Sequence, residues 1–277
     1  MKQGKSRRSG TRRFWQIVEG VCLVVFLLCM ILVAIKVIRY AKRREEQQAA
    51  QETLDAIEAA IEETAEETVE ETVEETMEEL DEVTDTTILP MFEEAEQLLE
   101  QNPDFVGIVS YGETTLYVCQ SDDNSYYATH RFDGTEDETG MIYMDARCTG
   151  FPASDNIILY GHDMDDGTLF GSLHLLTQQE YLEEYPTVRF SSLYEVHDYA
   201  PIAVFYASVE TGTEDYFYFP WWEFETEEDF QYYIEAIQEL SVLDLDAEVA
   251  YGTPLLTLAT CSDEEGVYLV VVCAQVS

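Results

Sequence analysis

Basic residues are scarce over most of this sequence. Lysine is absent after Lys42, and residues 45–277 contain only three arginines, Arg131, Arg147 and Arg189. The chain holds 57 acidic residues, nearly all of them after residue 44, and its formal net charge is −43. A field of this sign repels polyanions. Nucleic acid is therefore excluded as a partner of the acidic part of the chain.

Cysteine pairs at metal-binding spacing are lacking as well. No C-x-x-C pair occurs, which argues against a structural zinc site. Two cysteines lie in an apolar run near the N-terminus, and the other four are Cys119, Cys148, Cys261 and Cys273. Four are too few for a disulfide-built scaffold, although one bridge among Cys119, Cys148 and Cys273 stays open. No G-x-S-x-G, H-E-x-x-H or phosphate-binding motif is present, so we predict no metal and no cofactor.

One long hydrophobic run, "IVEGVCLVVFLLCMILVAIKVI" at 17–38, stands out near the N-terminus. At about 1.5 Å per helical residue it is long enough to cross a bilayer core of about 30 Å. Basic residues follow it instead of a small-residue cleavage site, which favours an uncleaved anchor. Six bases precede the run and five end or follow it, so charge alone does not decide its orientation.

Residues 39–87 are acidic and of low complexity. The segment "EETAEETVEETVEETMEEL" repeats every four residues. An apolar residue at every fourth position drifts around a helix, and glutamates four apart repel one another. A coiled coil would need a period of about 3.5 residues. We therefore predict an extended, partly helical spacer between the anchor and the rest of the chain.

The residue pattern of 88–277 is typical of a globular domain. Short runs rich in β-branched and aromatic residues, such as "FVGIVSY", "NIILYGH", "DYFYFP" and "PLLTLATC", are bounded by turn-forming residues. Two segments predict helices, one around "FEEAEQLLEQ" and one from Thr226, whose side chain can cap the helix at Asp229. About eight short strands with few helices predict a mainly β fold, a closed or nearly closed barrel.

Two residues at predicted strand ends suggest nucleophilic chemistry. His162 follows the strand "NIILYG" directly, and Cys261 ends the strand "LLTLATC". An imidazole that reaches a thiol can accept its proton, and the thiolate is the better nucleophile. The other histidines, His130, His174 and His197, lie in polar surroundings and are read as ordinary surface residues.

These motifs resemble those of class B sortases. "LYGHDMDDGTLFGSL" followed later by "TLATC" is similar to the paired histidine and cysteine motifs of that family. "NPDFVGIVSY", "DDNSYYATHRFDG" and "GMIYMDARC" resemble its earlier segments, and the helix at 226–241 resembles its helical insertion. The resemblance extends over nearly all of residues 88–277.

The resemblance implies an eight-stranded sortase-type β-barrel with flanking helices and the activity of a cysteine transpeptidase. Cys261 is then the nucleophile that holds a surface protein as a thioester, and His162 is the acid and base. Thr260 is expected in the binding groove, and Asn124 is a candidate contact for the sorting signal. The acceptor is expected to be an amine of a cell-wall peptide or a pilin.

The implied location is the cell membrane of a Gram-positive organism. Residues 17–38 then form a single membrane span, residues 1–16 a basic cytoplasmic N-terminus, and residues 88–277 an extracellular catalytic domain beyond the spacer.

One position departs from the family's pattern. Sortases have an arginine on the strand after the cysteine, and here Tyr268 occupies the expected place. A phenol donates one hydrogen bond and has no fixed charge. Three outcomes are then expected: the enzyme is slow, or Tyr268 or an arginine of another strand such as Arg189 takes over the role of the missing arginine, or the protein is inactive. Three interpretations stay open: an active class B-like sortase, a weak or inactive sortase fold that serves as a binding or assembly module, and an acidic membrane-anchored adhesin unrelated to sortases.

Overall fold

The computed structural model describes residues 8–71, 91–149, 154–212, 216–245, 247–261 and 266–276. Residues 72–90, with the second part of the predicted spacer, lie outside this description. The helices are α1 Arg8–Glu71, α2 Glu93–Gln101, α3 Gln179–Glu184 and α4 Glu227–Leu240, and a 3-10 helix spans Phe170–Thr177. The strands are β1 Phe105–Tyr111, β2 Thr114–Cys119, β3 Ile142–Met144, β4 Asn156–Gly161, β5 Val188–Ser191, β6 Val196–Ser208, β7 Leu255–Cys261 and β8 Val267–Gln275.

The eight strands form a closed barrel, in the order β1-β2-β3-β4-β7-β8-β6-β5. This confirms the predicted mainly β fold. Most pairs are antiparallel, but β4 and β7 are parallel neighbours, as are β2 and β3. Alternate residues of each strand fill the interior, for example Leu256 and Leu258 of β7. The opposite face of β7 packs in a second apolar cluster that includes Leu255, Ala259 and residues of α4.

Helix α4 begins as the sequence predicts. The Thr226 hydroxyl accepts a hydrogen bond from the backbone N–H of Asp229 at 3.1 Å, which satisfies one of the free donors of the first turn. The buried side chains of this helix are Phe230, Tyr233, Ile234 and Ile237. Their spacing places them on one face, which covers the outside of the barrel.

The segment "DYFYFP" is not a strand, contrary to the prediction. In its described part, Tyr216 makes an isolated bridge with Ser208, and residues 217–220 have no ladder partner. Phe219 is instead buried beside α4, where the Tyr233 hydroxyl donates to its carbonyl at 3.1 Å. Phe217 is partly buried in the same cluster, whereas Tyr216 and Tyr218 are exposed. Strand β5 pairs only with residues 196–199 of β6, and beside the rest of β6 the segment makes that single bridge at Ser208.

The chain divides into two compact units, Met1–Glu45 and Glu46–Ser277. The described part of the first unit, residues 8–45, lies within α1. The apolar part of that helix, in the segment Val18–Ile61, is long and apolar enough to cross a membrane, with a mean hydropathy of 3.2 over its most apolar window. Its large apolar side chains are exposed, which suits a lipid environment.

The second unit contains α1 residues 46–61 together with the barrel. This differs from the prediction of a spacer over residues 39–87. Leu54 and Ile57 are buried in an apolar cluster with Phe105 and Ile108 of β1. Together with the buried Ala50, they follow the spacing of four and three residues that forms one helical face. This part of the helix packs on the barrel because that face is apolar.

Candidate functional site

Three adjacent strands bring the predicted catalytic residues to one end of the barrel. The last register pair of the parallel strands β4 and β7 is Gly161 with Thr260. The next residues, His162 and Cys261, therefore lie side by side at the same edge. In the antiparallel ladder of β7 and β8, the backbone of Cys261 pairs with Tyr268. The thiol of Cys261 lies outside the described part of the structure.

A cleft of ≈ 390 Å³ lies at this end of the barrel. Three of the predicted site residues, His162, Tyr268 and Asn124, line it. Thr260 does not line it: its side chain is buried, and its hydroxyl has no hydrogen-bond partner among the described residues. The other residues of the lining are Ala128, Tyr143, Arg147, Tyr160, Gly161, Val209, Tyr218, Phe219, Pro220 and Ala259.

The ring of His162 is held by a backbone carbonyl. Its Nε2 atom lies 3.1 Å from the carbonyl oxygen of Ala128. A carbonyl oxygen only accepts, so Nε2 must carry the proton of this bond, and Nδ1 is the acceptor in the neutral ring. The contact fixes the ring plane and the tautomer at the rim of the cleft.

Gly161 allows β4 to end close to the barrel core. A Cβ atom at this position would collide with Ile142 and would lie 2.9 Å from Phe170. A larger residue would therefore displace the end of β4. His162 follows directly, so its backbone continues from this closely packed strand end.

Arg147, which the sequence did not mark as a site residue, lines the same cleft. Arg147 donates from Nε to one oxygen of Asp145 at 2.8 Å and from Nη2 to the other at 2.6 Å. Its Nη1 atom donates to the Tyr218 hydroxyl at 2.6 Å, and its guanidinium carbon lies 4.2 Å from the ring centre of Trp222. This bidentate ion pair and the stacking fix the guanidinium in place.

Asp145 is the buried partner in this cluster, and the Tyr160 hydroxyl also donates to it at 3.1 Å. Burial acts to raise the pKa of Asp145, but the hydrogen bonds from Arg147 outweigh burial and hold that pKa below its ordinary value. Burial and the neighbouring Asp145 carboxylate raise the pKa of Tyr160. At neutral pH the cluster therefore contains a carboxylate, a guanidinium and a neutral phenol.

Arg189 stands elsewhere. It lies on β5, separated from β7 by β6 and β8. Its guanidinium donates to Asp198 at 2.7 and 3.0 Å and forms an ion pair with Glu58 of α1. It does not line the cleft, so the suggestion that Arg189 replaces the missing arginine is wrong.

The other cysteines of the barrel unit are buried free thiols. Cys119, Cys148 and Cys273 form no disulfide with one another, and burial raises the pKa of each. The pKa of Cys148 is raised to about 11. Such thiols stay protonated and unreactive at neutral pH. Within the described residues, no group of three or more His, Cys, Asp or Glu side chains is placed to hold a metal ion.

The sequence is similar to characterised sortases. It is 30% identical over 175 residues to Sortase B of Listeria monocytogenes, which covers 62% of this chain and 69% of that protein. It is 29% identical over 178 residues to Sortase B of Staphylococcus aureus, covering 64% of this chain and 69% of that protein. No protein-family model matches the chain.

Solved structures give the same result for the fold. The S. aureus sortase B–substrate complex superposes with a TM-score of 0.61 at 25% identity, covering 68% of this chain and 86% of that one. A crystal structure of S. aureus sortase B at 20% identity gives a TM-score of 0.68 and covers 85% of this chain and 99% of that one. The barrel with flanking helices is therefore a sortase fold. With this fold and this degree of sequence identity, the chain belongs to the sortase B family of cysteine transpeptidases.

Proposed function

We propose that this transpeptidase cleaves the sorting signal of a surface protein at Cys261 and transfers the protein to an amine. The proposal rests on one observation: the register of β4 and β7 brings His162 and Cys261 to adjacent strand ends beside the cleft. The buried state of the other three cysteines of the barrel unit supports the choice of Cys261. The similar S. aureus sortase B was solved as a substrate complex, which supports a substrate-binding role for this barrel.

The chemistry has two balanced steps. The Cys261 thiolate attacks the scissile carbonyl carbon, a C–S bond forms, and the C–N bond breaks as the imidazolium of His162 protonates the leaving amine. The incoming amine then attacks the thioester and gives its proton to His162. The C–N bond is formed again, and the thiolate leaves. Cysteine and histidine both end in the states in which they began.

Tyr268 is proposed to donate to the oxyanion of the tetrahedral intermediates. It lines the cleft and pairs with the nucleophile's backbone. A phenol donates one hydrogen bond and is neutral, whereas an arginine would donate two parallel hydrogen bonds and carry a positive charge. Thr260 is buried next to Cys261 in sequence and is proposed to support the nucleophile strand, and Asn124 is proposed to contact the sorting signal.

For the location of the protein, we propose a single span at residues 17–38, with residues 1–16 in the cytoplasm and the barrel outside. The exposed apolar helix supports the span. The orientation follows from the function, because surface proteins are handled on the outer side. In intact cells, added protease should digest the barrel. A barrel that stays intact until the membrane is permeabilised would contradict this orientation.

The test of the activity uses the full-length chain in detergent. It is incubated with a library of peptides that contain Asn-Pro-type sorting motifs and with a peptide amine, and mass spectrometry follows thioester and transferred product. The parent chain and Cys119→Ala should form both, whereas Cys261→Ala should form neither. A folded parent chain that forms no adduct with any peptide would contradict the proposed function.

A further inference from the structure

We propose that Arg147 binds the substrate, donating hydrogen bonds from its guanidinium to a carbonyl oxygen of the sorting signal. This rests on the proposed function, since it assigns a peptide to the cleft. It makes Arg147 a determinant of substrate affinity located outside the three strands that hold His162, Cys261 and Tyr268.

The distribution of arginines in the barrel unit supports this assignment. Arg131 is buried and bonds Glu46 and Asp137, and Arg189 bonds Asp198 and Glu58. Both arginines therefore hold parts of the fold together. Within the described residues, Arg147 is the arginine that lines the cleft, and its side chain is 33% exposed.

The hydrogen bonds of Arg147 leave donors available to a ligand. A guanidinium has five N–H groups. Nε–H and one N–H of Nη2 bond Asp145, and one N–H of Nη1 bonds Tyr218. The second N–H on each Nη atom has no partner among the described residues. The position of the group is already fixed by Asp145, Tyr218 and Trp222, so a ligand loses little free energy in ordering it.

The charge balance indicates a neutral acceptor. Asp145 already neutralises the guanidinium, and the chain as a whole is strongly acidic. A second carboxylate would approach against this field, whereas a peptide carbonyl would not. The available donors therefore match the oxygen of an amide better than that of an acid.

The same turn orients a second donor in the cleft. The backbone N–H of Ala146 donates to the side-chain oxygen of Asn124 at 2.7 Å. Among the described residues the amide NH₂ of Asn124 has no acceptor, so it can donate to a ligand. Asn124 and Arg147 both line the cleft. Residues 145–147 thus hold two donor groups, and an extended peptide presents carbonyl acceptors at regular spacing. The ligand class that fits is an extended peptide segment bound through its backbone or side-chain amide oxygens.

The experiment measures binding without turnover. A fluorescent peptide selected from the Asn-Pro library is titrated into full-length Cys261→Ala protein in detergent, and anisotropy gives Kd. Adding Arg147→Gln should raise Kd about tenfold or more, because hydrogen bonds from a charged donor are lost. The control is Arg189→Gln, because Arg189 forms a similar ion pair but lies outside the cleft. This variant should leave Kd within about twofold of the parent value.

Further variants separate this inference from its alternatives. Tyr218→Phe keeps the guanidinium but removes one of its supports, and should raise Kd about two- to fivefold. In the active chain, Arg147→Gln should raise KM more than it lowers kcat. If Arg147→Gln is folded and binds as tightly as the parent, or if only kcat falls, the inference is wrong although the transpeptidase activity stands. If Arg147→Gln does not fold, an unchanged Kd in Tyr218→Phe overturns it. If no peptide in the library binds, both proposals fail.

Discussion

The packing of α1 on the barrel gives a prediction with a defined magnitude. Leu54 is 3% exposed and Ile57 is 1% exposed, in a cluster with Phe105 and Ile108 of β1. Replacing a buried leucine by alanine removes its transfer free energy and leaves a cavity, at a cost of about 2–5 kcal/mol. Leu54→Ala should therefore lower the free energy of unfolding by about that amount. On a solvated spacer the same change would cost within about 0.5 kcal/mol.

The assay is urea unfolding of the full-length chain in detergent, with Ile61→Ala as the matched control. Ile61 lies on the same helix but is 38% exposed, so its replacement should change the free energy of unfolding by about 0.5 kcal/mol or less. Hydrogen exchange of residues 46–61 should be followed in parallel, because a weakened helix can undock before the barrel unfolds. If Leu54→Ala changes neither the unfolding midpoint nor the exchange of these amides, the packing of α1 on the barrel is refuted.

Three further predictions concern the cleft and α4. Tyr268→Phe should lower kcat about 10²–10³-fold in the transfer assay, as loss of one oxyanion donor does, and a variant as fast as the parent would exclude a role for the phenol. Thr226→Ala should lower the free energy of unfolding by about 1 kcal/mol, because the helix loses the hydrogen bond from the backbone N–H of Asp229 to the Thr226 hydroxyl. Thermal unfolding measures this change, and an unchanged free energy of unfolding would contradict the capping role of Thr226. The pKa of Asp145 is lowered by Arg147 in the fold, so the stability that this carboxylate contributes is present above about pH 4 and is lost as pH falls through its folded pKa. The stability difference between parent and Asp145→Asn should therefore be largest near neutral pH and shrink below about pH 4, and a difference independent of pH would argue against that ion pair.

Most strands could be predicted because they are short apolar runs with turn residues at their ends. The same signal failed at "DYFYFP", where Phe217 and Phe219 pack beside α4 and not through strand pairing. Local sequence cannot distinguish these two kinds of burial, since both give alternating aromatic residues. The packed part of α1 was missed for a different reason. The strongly acidic composition indicated a solvated spacer, although Ala50, Leu54 and Ile57 have the spacing of an apolar helical face.

The site could be predicted only in part. His162 directly follows β4 and Cys261 ends β7, and both positions could be predicted from the sequence. Arg147 gave no such signal, because its place in the cleft depends on the turn after β3 and on Tyr218 and Trp222 far along the chain. One clue was available: Arg147 is one of three basic residues in a long acidic stretch, and it follows Asp145 by two positions.

The parallel pairing of β4 with β7 also has a consequence for the biogenesis of the enzyme. The two strands that present His162 and Cys261 are distant in sequence and neighbours only in the closed barrel. A contact of such long range can form only after a long loop has been closed, which costs conformational entropy. Of the barrel's strands, β7 and β8 are also the last to be synthesised. A chain that is still being made therefore has Cys261 without its proposed acid–base partner, and the proposed pair first exists when the barrel closes.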